Sequence, residues 1–211
     1  MKYQLLILSC LFFFSSISGQ ETLSELTPQQ EKKATKNAEL EIKMLPKKGW
    51  VVNRSDITFE EMMHKAWRMK FAMIDSKTPQ YIYTFGNGKG KTKKEAFDKS
   101  SKKAKAQLPG LILLYYNMWN MASDIPQAEK DKVSTAIEKS EDQIAKQLES
   151  LQIKPFVNMT RSKNGKNEVH LRYYYPQLKT RDIARELIMD QLSKTSDWSK
   201  KKMISVLTYD K

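Results

Sequence analysis

One cysteine and two histidines in 211 residues remove whole classes of chemistry. A single thiol cannot build a disulfide framework, and two imidazoles leave little for a zinc site or for His-based catalysis. Long apolar runs are scarce as well. After the first twenty residues the greasiest stretch is Leu111 to Trp119, which Asn117 interrupts and which falls short of a membrane span. No motif pairs a nucleophile with a base, so no catalytic residue, metal or other cofactor is expected. What the chain has in excess is positive charge. Lys plus Arg number 37 against 24 acids, a net +13 with a pI near 9.6. With 40% hydrophobic and 29% charged residues, the composition suits one folded, lysine-rich domain with short appendages. Such an excess points to an anionic neighbour: nucleic acid, an anionic membrane or a wall polymer.

The first nineteen residues read as an address. Lys2, the apolar run from Leu5 to Phe14 and the small residues Ser15 to Gly19 make a secretory signal peptide, with cleavage expected after Gly19. Ile7-Leu8-Ser9-Cys10 loosely matches a lipobox, which would make Cys10 a lipidation site. Lipidation there would leave Leu11 to Phe14 greasy beyond the modified residue, so plain export is the expected outcome. Cleavage removes the only thiol and leaves +12 of the +13, in keeping with a periplasmic or surface-associated protein.

Four segments follow from the patterning: the signal peptide over 1–19, an N-terminal helix and linker over 20–49, a single α+β domain over 50–195, and a basic tail over 196–211. Thr27-Pro28-Gln29-Gln30 starts the first helix, which runs to about Met44. A second helix, rich in methionine, spans about Thr58 to Met73. Tyr81 to Phe85 is a strand by its aromatic and β-branched content. Thr92-Lys93-Lys94-Glu95 is a capping box that opens a long helix toward Met121, kinked at Pro109-Gly110. Phe97, Ser101, Ala104, Leu108, Leu111 and Tyr115 form its expected buried face. An acidic helix over about 128–152 is expected to pair with it as an antiparallel hairpin. Asn164-Gly165 then marks a β-hairpin whose register sets Arg161 opposite Glu168 and Phe156 opposite Tyr173. A last amphipathic helix carries Ile183, Leu187, Ile188 and Leu192. The expected architecture is a small three-stranded antiparallel sheet, β-α-α-β-β, covered on one face by long helices, with further helices at each end.

Two motifs invite a sharper reading. Gly86-Asn87-Gly88-Lys89-Gly90-Lys91-Thr92 lies between a strand and a helix, the setting of a phosphate-binding P-loop. Its leading glycine is missing, because Phe85 stands there, so a flexible turn capped by Thr92 is expected instead. The stretch from Gly88 to Ala96 resembles the loop and final helix of a double-stranded-RNA-binding domain, which needs three strands directly upstream. Eight lysines fall in this region: Lys89, Lys91, Lys93, Lys94, Lys99, Lys102, Lys103 and Lys105. Against Glu95 and Asp98 they concentrate +6 within residues 89–105. Glu60, Glu61 and His64 share a helix without a second histidine nearby. Tyr173 and Tyr175 are expected to pack inward with Val169 and Leu171.

The chain also resembles a group of small exported bacterial envelope proteins of unknown function, related to surface lipoproteins with a dodecin-like β-α-β-β domain. The resemblance rests on Lys47-Lys48-Gly49-Trp50, on Gln80-Tyr81-Ile82-Tyr83 with the glycines and Thr92, on Leu108 to Leu113, and on Val169-His170-Leu171-Arg172-Tyr173-Tyr174. It implies an envelope role and supplies no catalytic residues. The expected function is therefore non-catalytic: an envelope protein, possible as an oligomer, whose lysine patch contacts an anionic component such as a lipid headgroup or wall polymer, or another envelope protein. The alternatives are a polyanion- or nucleic-acid-binding module centred on Gly88 to Lys105, and a small hydrolase if scattered acids converge in a cleft.

Overall fold

Each of the first three α-helices is capped by a threonine. In the computed structural model, which describes residues 23–207, α1 (Pro28–Met44) and α2 (Phe59–Phe71) open with reciprocal capping boxes at Thr27/Gln30 and Thr58/Glu61. At α3 (Lys93–Lys105) the Glu95 N–H donates to Thr92 Oγ1 at 3.1 Å. The expected reciprocal bond is replaced. The Glu95 carboxylate reaches one residue further back, to the Lys91 N–H at 2.8 Å. The remaining elements are a 3-10 turn (Pro46–Lys48), β1 (Val51–Val52), β2 (Tyr81–Gly90), α4 (Gln107–Ala122), α5 (Gln127–Glu149), β3 (Val157–Lys163), β4 (Lys166–Pro176), α6 (Gln177–Thr195) and α7 (Lys200–Leu207).

The sheet is antiparallel throughout, in the order β1-β3-β4-β2, so it has four strands and not three. The extra strand is Val51–Val52, too short to show any alternation in sequence. Asn164 and Gly165 both take positive φ, 53° and 70°, and close the β3–β4 hairpin with Arg161 opposite Glu168 as expected. Phe156 falls one residue before the ladder's first pair, with its N–H donating to the Arg172 carbonyl at 2.9 Å.

Helices cover both faces of the sheet, where one was expected. Val169, Leu171, Tyr173 and Tyr175 of β4 point into a core shared with α3, α4, α5, α6 and α7. Val157, Met159 and Tyr174 point the other way, against Ala38 of α1 and Met62, Met63 and Ala66 of α2. The methionines of α2 are thus core. Residues 200–207, expected as part of a basic tail, form α7 and bury Met203, Val206 and Leu207.

The long helix after Thr92 is two helices that meet at Ala106. The break lies ahead of Pro109 because a proline ring clashes with the carbonyl four residues before it, which here is Lys105. The inward face nevertheless continues across the break in steps of four residues. The buried positions are Ala96, Ser100 and Ala104 in α3, then Leu108, Ile112, Leu113 and Tyr116 in α4, while Leu111 is exposed. The acidic α5 packs on the uncharged α4 and on α6; Asn120 Nδ2 donates to the Lys130 carbonyl and to Ser134 Oγ at 2.9 Å. The basic α3 lies instead on the sheet.

Candidate functional site: the lysine end of the sheet

The glycine segment is strand, not turn. Gly86, Gly88 and Gly90 pair with Leu171, Val169 and Asn167 in the β2–β4 ladder, and their open faces lie under α3. A Cβ on Gly86 or Gly88 would overlap the carbonyl oxygens of Ser100 and Ala96, and one on Gly90 would stand 2.8 Å from the Ala96 nitrogen. Ser100 Oγ donates to the Gly86 carbonyl at 2.7 Å, a direct seam between helix and strand. The spacing of two between glycines is the spacing of one strand face, and Ala96, Ser100 and Ala104 are its small complement on the helix. With its backbone engaged in the sheet, the segment offers no P-loop cradle. Among the described residues only the two-residue β1 and the long β2 precede Thr92, and β3 and β4 follow only after α5, so the three-stranded upstream meander of a double-stranded-RNA-binding domain is absent there.

The eight lysines divide into groups. Lys89 Nζ bonds Glu168 at 2.8 Å on the face turned toward α1 and α2, and Lys99 Nζ bonds Glu95 at 2.6 Å along α3. Glu168 also takes the Arg161 guanidinium, and these two cationic partners, Lys89 first, hold its carboxyl below the usual range. Lys102 and Lys103 are exposed further along α3, with Lys105 half-buried. Lys91, Lys93 and Lys94 stand at the end of the sheet where β2 gives way to α3.

Four lysines from elsewhere join those three. Lys163 and Lys166 face each other beside the hairpin turn. Asn167 Nδ2 donates to the Lys91 carbonyl at 2.9 Å and ties that lysine to the same end. Lys47 and Lys48 arrive just before β1, with the Lys48 carbonyl accepting from Arg161 Nη1 at 3.2 Å. The order β1-β3-β4-β2 therefore lines up Lys48, Lys163, Lys166 and Lys91 across one edge of the fold. Lys47, Lys48, Lys91, Lys93, Lys94, Lys163 and Lys166 are all exposed, and no carboxylate lies within ion-pair distance of any of them among the described residues. Lys93 and Lys94 occupy the first turn of α3, where the helix dipole disfavours cations by about 0.3–1 kcal/mol, so helix stability does not account for them. The Asn-Gly turn was the one sequence signal that could have added Lys163 and Lys166 to the patch; nothing local announces Lys47 and Lys48.

A second polar feature lies within the sheet's α1/α2 side. Trp67 Nε1 and Arg172 Nη2 donate to the two oxygens of Glu41 at 2.9 and 2.6 Å. Arg172 Nε donates to His170 Nε2 at 2.9 Å, so His170 Nδ1 carries the proton and donates to Asn87 Oδ1 at 2.6 Å. Burial, with the Arg172 charge beside it, holds His170 down at about 4. Each member is satisfied by its neighbours, and the chain of bonds links α1, α2, β4 and β2.

Two open clefts have acids in their walls. One of about 790 Å³ lies between the 74–78 loop, α4 and α6; its Asp182 pairs with Arg185 at 2.8 Å and its Asp75 accepts from the Lys77 and Thr78 amides. The other, of about 920 Å³, includes Asp56, which Arg54 holds at about 2. No group of three or more His, Cys, Asp or Glu placed to hold a metal occurs among the described residues, and His64 gathers no such set with Glu60 and Glu61. Among the same residues no helix is long and apolar enough to cross a membrane. Cys10 and the signal-peptide pattern lie outside the described residues. No family model, curated protein or solved structure matches the chain.

Proposed function

We propose that this chain is a non-catalytic, exported cell-envelope protein that presents the lysine end of its sheet to an anionic surface, with lipid headgroups as the ligand. The observation behind this reading is the gathering of seven exposed, carboxylate-free lysines from three separate stretches of chain at one end of a rigid sheet. Export rests on the signal-peptide pattern of residues 1–19 and on the resemblance to small envelope proteins. A lysine close to an anionic bilayer contributes about 1 kcal/mol. Seven together reach about 7 kcal/mol, an apparent affinity near 10 µM.

Co-sedimentation with vesicles tests this. Protein partitions onto vesicles rich in phosphatidylglycerol at low salt, partitions little onto phosphatidylcholine, and is released as salt shortens the screening length from about 30 Å at 0.01 M to about 8 Å at 0.15 M. Equal recovery with neutral and anionic lipid would remove the electrostatic reading.

A further inference from the structure

We infer that the outward face of α4 is the contact through which two copies of this chain form a twofold-symmetric dimer. Leu111, Leu114, Met118 and Met121 are spaced three, four and three residues apart, so they share one stripe of the helix. That stripe lies opposite the face that buries Leu108, Ile112, Leu113 and Tyr116. The four side chains are 41%, 54%, 61% and 77% exposed. Ile74 and Leu178, also exposed, border the same region, since both line with Met118 the cleft beside α4.

Three observations favour a second copy as the occupant. First, the stripe is symmetric about position 116, so an antiparallel pairing sets Leu111 on Met121 and Leu114 on Met118 of the other copy. A single helix face thereby meets its own complement, as an isologous contact requires. Second, α4 has no charged residue, so the helix stripe itself brings no charge into the contact even though each chain carries +13. Third, the six residues together leave on the order of 600 Å² of surface open, much of it apolar, to set against the roughly 800 Å² a partner contributes to a standard interface. A bilayer fits less well. The flanking α5 carries six acids against four lysines within residues 128–152, which an anionic surface repels, and the lysine end belongs to other elements.

Sedimentation equilibrium of the full chain, with the variant L114E/M118E, tests the inference. The wild type is expected to dimerise at micromolar concentration, and the variant's dissociation constant to rise at least 100-fold while its circular dichroism stays that of the wild type. L111Q/M121Q is expected to weaken the dimer in the same direction, and L40E, an exposed leucine on α1, to leave it intact. The dimer should tighten with salt as repulsion between the two +13 chains is screened, whereas vesicle binding through the lysine end weakens, so the two proposals fail separately. A wild type that stays monomeric at about 100 µM in 0.5 M salt, dimers that survive both double variants, or a monomer whose α4 stripe instead drives flotation with neutral vesicles would each overturn it.

Discussion

Three glycines decide how closely α3 lies on the sheet. At Gly88 even a methyl group would fall on the Ala96 carbonyl, a backbone atom that can yield only if the helix moves. Gly88→Ala is expected to lower stability by about 3 kcal/mol in urea denaturation, the upper range for overpacking a tight site. Gly110 gives the opposite sign. It sits in α4 with open space where a Cβ would go, so Gly110→Ala is expected to raise stability by about 0.5–1 kcal/mol. His170 supplies a residue-scale pH dependence. Its folded-state value of about 4 is below the ordinary 6.5, so its neutral form stabilises the fold fully above pH 6.5, and that contribution drains away as pH falls toward 4. The thermal midpoint should therefore start to drop between pH 6.5 and 5, before the depressed carboxyls of Glu95 and Glu168 begin to protonate. In His170→Gln that early drop should vanish. An unchanged slope would mean the imidazole is not held neutral by its setting.

At the scale of elements, local chemistry was legible and long-range company was not. The caps at Thr27 and Thr92 and the Asn164-Gly165 register could be read because each depends on neighbours within a few residues. The extent of β2 could not. Glycines weaken a strand by intrinsic preference, and only the close approach of α3 makes Gly86, Gly88 and Gly90 the right residues for one. Likewise the fully buried line of α3 follows from the glycines beneath it: Ala96 and Ser100 sit at its centre, while Phe97 and Ser101, expected there, flank it, Phe97 half-buried against the core and Ser101 Oγ 2.8 Å from the Tyr173 hydroxyl. The candidate site divides the same way: the lysines that follow Gly90 stand together in the sequence, whereas Lys47, Lys48, Lys163 and Lys166 join them only through strand order. The hairpin is the element that brings two of those four into place. Gly165→Val forces a β-branched residue to φ near 70° and is expected to cost about 1–2 kcal/mol. It should also weaken vesicle binding, because Lys163 and Lys166 flank that turn.

At the scale of the molecule, charge and apolar surface belong to different elements. The cations gather where β2 ends, beside the hairpin turn, whereas among the described residues four exposed large apolar side chains line one stripe of the uncharged α4. A twofold dimer through α4 would carry two lysine ends into one particle and raise its avidity for a charged surface. The central claim is that position, not net charge, makes the lysine end a binding surface. It is tested most directly by comparing two variants of equal charge change in the same vesicle assay. K91E/K93E/K166E reverses three lysines of the sheet end, and K99E/K102E/K103E reverses three along α3. The account predicts at least a 30-fold loss of binding to phosphatidylglycerol vesicles for the first and no more than a few-fold loss for the second. Equal losses would contradict it, because binding would then follow overall charge alone.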